Sequence, residues 1–360
     1  MRGLYVHIPF CIKKCEYCDF ISYTDCYDKE KPYLAALVEE FKLYEDRQVD
    51  TVYIGGGTPS SLSTEGLVFL MDKIFEYFDV TEDAEITMEV NPKTVDMKKL
   101  RSLRTAGVNR LSIGVQSFCD EELSRIGRIH TALDAQNCIL DAKFAGFKNI
   151  SIDLMFGLPK QTVESYRNSL IKAVAAGVNH ISAYSLILEE GTPLYDRVQN
   201  WEFRLPTEAV EVAMYDTTLE VLRTAGFYQY EVSNYARPGY ESRHNLKYWD
   251  FEDYLGVGPG AHSMYKGRRF YYPSDTDAFI AGGIDAVVFD GVPDTDEYIM
   301  LQLRKSEGLD TALLADGEEV LQREQKFNKY GLCTIDGTRV ALTVKGFLVS
   351  NMVIAQLLYG

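Results

Sequence analysis

Three cysteines, Cys11, Cys15 and Cys18, stand at CxxxCxxC spacing directly after the apolar run Leu4-Tyr5-Val6-His7-Ile8. Thiolates are soft ligands of the kind that zinc and iron-sulfur clusters take, and a loop gathers three of them around one centre more easily than a helix or strand does. The number three is informative. A 4Fe-4S cluster held by three protein thiolates keeps one iron open, and the amino and carboxylate groups of S-adenosylmethionine (SAM) can chelate that iron. One-electron reduction then splits the sulfonium and releases a deoxyadenosyl radical, so the cofactors carry the chemistry and the chain places them. Two plainer readings stand beside this one: a zinc site completed by His7 or Cys26, and a redox pair or disulfide at Cys15 and Cys18.

The elements that must position such a loop show as a repeat. The words Ala106-Gly107-Val108-Asn109, Ala145-Gly146-Phe147-Lys148 and Ala176-Gly177-Val178-Asn179, with a fainter Ala225-Gly226-Phe227, each follow a helical pattern and precede a short β-rich run. Glycine fits just past a helix end, where the backbone turns left-handed, and the apolar run after it reads as a buried parallel strand. Strands are expected over 4–8, 51–54, 85–90, 110–114, 150–154 and 183–186, with helices over 33–45, 64–78, 132–145 and 162–176 among those between them. Six units of this kind in series predict an α/β fold built as a parallel (β/α) barrel, incomplete at about six units.

In such barrels function collects at the carboxyl ends of the strands. There the sequence places the cysteine loop, then Gly55-Gly56-Gly57-Thr58-Pro59, Glu89 and Asn91, Gln116, Asp153, and Tyr184 with Ser185. Singly each has a structural explanation: a tight turn, a helix cap, a solvated charge at Arg128. Jointly they suit one ligand. Bare glycine backbone admits a close approach and binds an amino group or a carboxylate. An acid suits a ribose diol, and Arg128 suits a carboxylate gripped through two parallel hydrogen bonds.

CxxxCxxC with an aromatic before its last cysteine resembles the signature of the radical SAM superfamily. The flanking Tyr5-Val6-His7-Ile8-Pro9-Phe10 and Cys18-Asp19-Phe20 are similar to the group around oxygen-independent coproporphyrinogen oxidase. The resemblance implies cluster ligation by Cys11, Cys15 and Cys18, and SAM contacts from Tyr5, Gly56, Gly57, Thr58, Glu89, Gln116, Arg128 and Asp153, with Tyr17 against the cluster. It also implies room for a second SAM. The tract His244-Asn245-Leu246-Lys247-Tyr248-Trp249 resembles the HNxxYW signature of the HemW branch, the heme-binding relatives within that group. That branch implies heme as bound cargo, His244 as an iron ligand, and Tyr248 and Trp249 against the porphyrin. His262 is a second candidate ligand, whereas His7, His130 and His180 read as core histidines. Arg237, Arg243, Lys247, Arg268 and Arg269 form a local basic excess that heme propionates can use.

Two departures set the chain apart from the oxidases. Phe20 stands where they carry a further cysteine, and the chain starts four residues before Tyr5, without their amino-terminal extension. The expected function is therefore a heme chaperone without coproporphyrinogen dehydrogenase activity. The alternative is oxidative decarboxylation of coproporphyrinogen III. Implied partners are heme and heme-acceptor proteins, a membrane-associated acceptor among them, and a second copy of the chain in a homodimer.

Composition sets the remaining bounds. The 360 residues carry 37 basic and 53 acidic side chains, a net charge of −16, which disfavours sequence-independent binding to nucleic-acid phosphates. Seven cysteines, with no leader pattern before Cys11, read as a reducing, cytoplasmic setting. A boundary is expected between 282 and 293, separating a 1–285 barrel with its aromatic tract from a small wing-like domain over 290–360. In the latter, helices over 295–303, 318–330 and 344–358 flank a hairpin at Asp336-Gly337.

Overall fold

Six strand-helix units follow one another from the N-terminus. Strand β1 (Arg2–Ile8) leads through the cysteine loop to α1 (Glu30–Phe41), β2 (Gln48–Gly56) to α2 (Thr64–Tyr77), and β3 (Asp79–Val90) to α3 (Met97–Thr105). Strand β4 (Arg110–Gln116) precedes the short α4 (Asp120–Arg125) and then α5 (Ala132–Phe144). Strand β5 (Asn149–Phe156), α6 (Val163–Ala175) and β6 (His180–Ser185) complete the series. The computed structural model describes residues 1–24, 27–282 and 287–359. Cys26 and the expected boundary residue Gly283 lie outside them.

Local chemistry explains the repeat. Ser63, Asp96, Thr131 and Thr162 each accept a backbone N–H of the first turn of the helix that follows. Gly107, Gly146, Gly177 and Gly226 all have positive φ, between 65° and 105°, the backbone that ends a helix and redirects the chain into a strand. The strands β1 to β6 pair in parallel in that order. Leu4, Val52, Met88, Leu111 and Ile152 from the successive strands β1 to β5 are fully buried. Each such side chain stabilises the fold by about 1.5–3 kcal/mol.

The sheet is larger than six strands. After α7 (Pro193–Gln199) and α8 (Glu208–Thr224) comes the two-residue strand β7 (Tyr228–Gln229). The chain then returns as β8 (Asn234–Ala236), antiparallel to β6. Beyond α9 (Arg243–Trp249), β9 (Tyr254–Val257) pairs in parallel with the free side of β1. Strands β10 (His262–Tyr265) and β11 (Arg268–Tyr271), then α10 (Thr276–Gly282) and β12 (Val288–Gly291), extend that edge antiparallel. Among the described residues no pairing joins β12 to β7, so the barrel stays open. Strand β12 falls within the stretch expected to separate the domains and belongs to the large sheet.

The C-terminal module comprises α11 (Thr295–Gln302), β13 (Leu309–Asp310), α12 (Gly317–Lys329), β14 (Cys333–Asp336), β15 (Arg339–Leu342), α13 (Val344–Leu348) and α14 (Ser350–Tyr359). Strands β14 and β15 form the expected hairpin, turning at Gly337 with φ of 60°. The single terminal helix expected over 344–358 is interrupted at Val349, whose φ of −123° is not helical. Leu303, Leu309, Val320, Phe327, Val340 and Val353 make a separate core that meets the barrel through Tyr215 of α8. Lys305 adds an ion pair to Asp250 and a backbone bridge to Glu231.

Candidate functional site

The carboxyl ends of β1 to β6 surround one cavity of about 150 Å³. Its wall includes Cys11, Cys15 and Cys18, and with them Tyr17, Gly56, Gly57, Thr58, Glu89, Gln116, Arg128 and Asp153, as the sequence predicts. The sheet's curvature brings them together: the Tyr184 hydroxyl of β6 reaches across to donate to Gln116 Oε1 of β4 at 2.9 Å.

The cysteine loop is clamped from three sides. Cys11 N–H donates to Tyr23 O at 2.9 Å, Glu16 N–H donates to Ile126 O at 3.1 Å, and Arg197 pairs with the Glu16 carboxylate at 2.6 Å. The glycine word lies directly beneath it. Gly57 and Thr58 N–H groups donate to Ile8 O and Phe10 O. A Cβ at Gly57 would stand 2.9 Å from Phe10 O and 3.1 Å from Cys11 Sγ, so no larger residue fits without moving the loop. Thr58 Oγ1 lies 3.4 Å from Cys11 Sγ. Arg128 donates to Gly114 O at 2.5 Å and to Cys15 Sγ at 3.4 Å, which sets a fixed positive charge against the thiols.

The electrostatics suit a cationic group and a metal. Burial raises the Cys11 thiol and pushes Cys18 up to about 11, so both hold their protons until a metal's charge replaces them. Burial, with the neighbouring Asp153 charge, pushes the Glu89 carboxyl up to about 7 against hydrogen bonds from Tyr53 OH and Gly56 N–H. Asp153 is likewise raised by burial, although Ser182 and Ser112 hydrogen-bond it. Asn91 Oδ1 is buried and, among the described residues, has no hydrogen-bond partner. Such an orphaned acceptor is satisfied by an entering donor.

These residues fit the cluster and SAM. Among the described residues no three His, Cys, Asp or Glu side chains are grouped to hold a single metal ion. The thiols line a cavity in which Arg128 matches a carboxylate, while Glu89, Asp153 and Asn91 match amino and hydroxyl donors. His7, the candidate zinc ligand, has both ring nitrogens engaged, by Tyr5 OH and Ile21 O.

Other predicted residues lie elsewhere. Tyr5 does not line the cavity. It stacks on Tyr53, ring centroids 6.1 Å apart, and Tyr53 in turn supports Glu89. His244 is fully buried, tied through Nδ1 to Thr51 Oγ1 at 2.9 Å and through Nε2 to Tyr248 OH at 2.8 Å. It packs on Tyr53 at 5.3 Å, and a Cβ at Gly3 would strike it at 2.9 Å. Burial, then the charges of Lys247 and Arg110, push its pKa down to about 3, so it is neutral. Trp249 faces the C-terminal module, its carbonyl accepting from Gln302 and its ring lying 5.8 Å from the Arg304 guanidinium. The HNxxYW helix therefore plugs the barrel and links it to that module. Of the basic residues near it, Lys247 pairs with Asp50 and Glu252, and Arg269 with Glu297.

Sequence reasoning missed Ser22, Ser112, Lys13 and Lys14 in the cavity wall. Ser112 was findable by alternation from Gly114 along β4, because both point to the same face. The left-handed backbone of Gln116, φ 66°, carried no signal, since a non-glycine residue there is uncommon.

Residues 5–172, which carry the thiol loop and the first five parallel strands around the cavity, match the family model described as the radical SAM superfamily. Residues 295–349 match the HemN C-terminal domain. The solved coproporphyrinogen III oxidase of Escherichia coli, described as a radical SAM enzyme, superposes with a TM-score of 0.83 at 26% identity, covering 99% of this chain and 89% of that one. The chain is thus a radical SAM protein in class. Its relatives narrow this. Heme chaperone HemW of Bacillus subtilis is 39% identical over 88% of this chain and 86% of its own length. The Lactococcus lactis protein of that name is 34% identical over 99% and 97%, and that of Escherichia coli 41% over 72% and 69%. The chain belongs to the HemW family.

Proposed function

We propose that this chain is a heme chaperone, which binds heme and passes it to acceptor proteins. A 4Fe-4S cluster on Cys11, Cys15 and Cys18 and a SAM molecule in the adjoining cavity accompany that role. When bound, this pair supplies one-electron chemistry at the sulfonium. The chain's own part is to hold the SAM carboxylate at Arg128, its amino group at the Gly56 and Gly57 backbone, and its donors at Glu89 and Asp153, with Gln116 and Thr58 completing the wall. Tyr5 contributes from below through Tyr53. His244, Tyr248 and Trp249 serve by fixing the barrel floor and its junction with the C-terminal module.

The observation that carries the reading is similarity along nearly the whole chain to proteins named heme chaperone. Phe20 agrees with it: its ring is 66% exposed in the cavity mouth, an apolar residue where the oxidase pattern has a thiol. A cytoplasmic setting belongs to the same proposal; among the described residues no helix is long and apolar enough to cross a membrane.

The test is a hemin titration followed at the Soret band, then mixing with an apo heme protein and following the spectral transfer. Vesicle-bound and soluble acceptors are compared, and the mass of the cluster-loaded chain is measured for the expected dimer. Cluster-loaded protein is also given SAM, reductant and coproporphyrinogen III. Heme binding and transfer without protoporphyrinogen support the proposal. Absence of heme binding, or turnover at the rate of a known oxidase, overturns it.

A further inference from the structure

The five histidines differ sharply in what their ring nitrogens touch. His7, His180 and His244 each have both nitrogens in hydrogen bonds. His130 is buried and bonds Val115 O. His262 is the exception. It is exposed, and among the described residues its ring makes no hydrogen bond, only a parallel stack on Tyr271 at 5.0 Å between centroids.

Its surroundings are apolar and open. His262, Tyr271 and Val288 face one another in register across β10, β11 and β12, so their side chains share one side of the sheet. Three strands at the usual spacing span about 10 Å, on the order of the width of a porphyrin ring. Val288 is 40% exposed, and Val292, just past the end of β12, is 73% exposed. Apolar surface of this kind on a soluble chain marks a binding area. Asp290, the unpaired residue where β12 bulges against β11, brings a carboxylate toward the imidazole. A carboxylate beside a ligating histidine orients the ring and strengthens it as a ligand. Burial, reinforced by Arg269, lowers the His262 pKa while Asp290 opposes this, so the ring is neutral at pH 7 and its lone pair is free.

The position is tied to the cofactor site. The turn Gly258-Pro259-Gly260 that leads into β10 packs on the cysteine loop: a Cβ at Gly260 would meet Ile21, and one at Gly258 would meet Tyr33 OH and His7 O.

We infer that heme is bound on the outer rim of the barrel, its iron ligated by His262, with Tyr271 and Val288 supplying the apolar bed. The inference rests on the heme-chaperone reading and locates the cargo away from the buried His244. A ligand at the exposed edge of a sheet suits cargo that must be released to another protein, since the acceptor can reach it without opening the core.

The experiment is hemin titration of the full chain as wild type, His262→Ala, Val288→Asp and His244→Ala, with thermal melting of each. The wild type is expected to give a Soret band and resonance Raman lines of histidine ligation. His262→Ala is expected to melt as wild type, lose that signature and bind on the order of tenfold more weakly, and added imidazole is expected to restore the band. Val288→Asp is expected to weaken binding with the ligation signature unchanged. Unchanged affinity and spectrum in His262→Ala overturn the inference, as does loss of ligation in His244→Ala alone with its melting intact. A wild type that binds no heme overturns both this inference and the function on which it rests.

Discussion

Glu89 makes the SAM site sensitive to pH near neutrality. Its carboxyl, pushed up to about 7 by burial and by Asp153, accepts from Tyr53 OH at 2.9 Å and Gly56 N–H at 3.2 Å. The amino and ribose hydroxyl groups of SAM are donors, so they bind the carboxylate better than the carboxylic acid. With a midpoint near 7 the group is about one-tenth ionised at about pH 6 and about nine-tenths at about pH 8, so SAM affinity is expected to rise about tenfold across that window, about 1.4 kcal/mol. Glu89→Gln keeps the shape and removes the titration. It is expected to bind SAM more weakly at about pH 8 and to lose the slope below neutrality. Because the SAM amino group itself titrates near pH 8, the quantity to read is the ratio of wild-type to variant affinity, measured anaerobically by calorimetry on cluster-loaded protein. Asp153→Asn is expected to move the midpoint down, since the Asp153 charge is one of its causes. A ratio that stays constant from about pH 6 to about pH 8 would refute the role given to Glu89.

Three further perturbations follow from the packing. Gly57→Ala drives a Cβ against Phe10 O and Cys11 Sγ; at about 1–3 kcal/mol for overpacking it is expected to lower iron content after reconstitution, and full cluster occupancy would contradict the close approach. His244→Ala leaves buried Thr51 and half-buried Tyr248 without their shared partner and opens a cavity, so the denaturation midpoint is expected to fall by the equivalent of about 3–4 kcal/mol; an unchanged midpoint would show that the plug is dispensable. Glu324 is buried in the C-terminal core; among the described residues its carboxylate has only the Cys333 thiol beside it, with no N–H or O–H donor on either oxygen, and burial raises its pKa against that contact. A raised folded pKa means that its contribution to stability is complete below the unfolded value and is lost as pH rises through the folded one. Glu324→Met is therefore expected to stabilise the protein by about 1–3 kcal/mol near pH 8 and by little at acid pH; equal melting shifts at both would count against this account.

What could be read in the sequence was local or periodic. Cys11, Cys15 and Cys18 are close in the chain, so one loop must hold them together. The glycines at 107, 146, 177 and 226 end helices through their own backbone freedom, and this fixes the helix-strand alternation and hence the rim on which Gly57, Glu89, Gln116 and Asp153 meet. The tertiary structure decided everything that depends on elements distant in the chain. The parallel pairing of β9 with β1 joins segments about 250 residues apart, and a four-residue strand leaves no periodic signal. His244 and His262 stand in one aromatic tract and look alike as iron ligands. Packing against Thr51, Tyr53 and Gly3 seals the first within the core, while the edge position of β10 to β12 leaves the second open to solvent. A residue's type sets which bonds it can make; only the fold decides which of them are already taken.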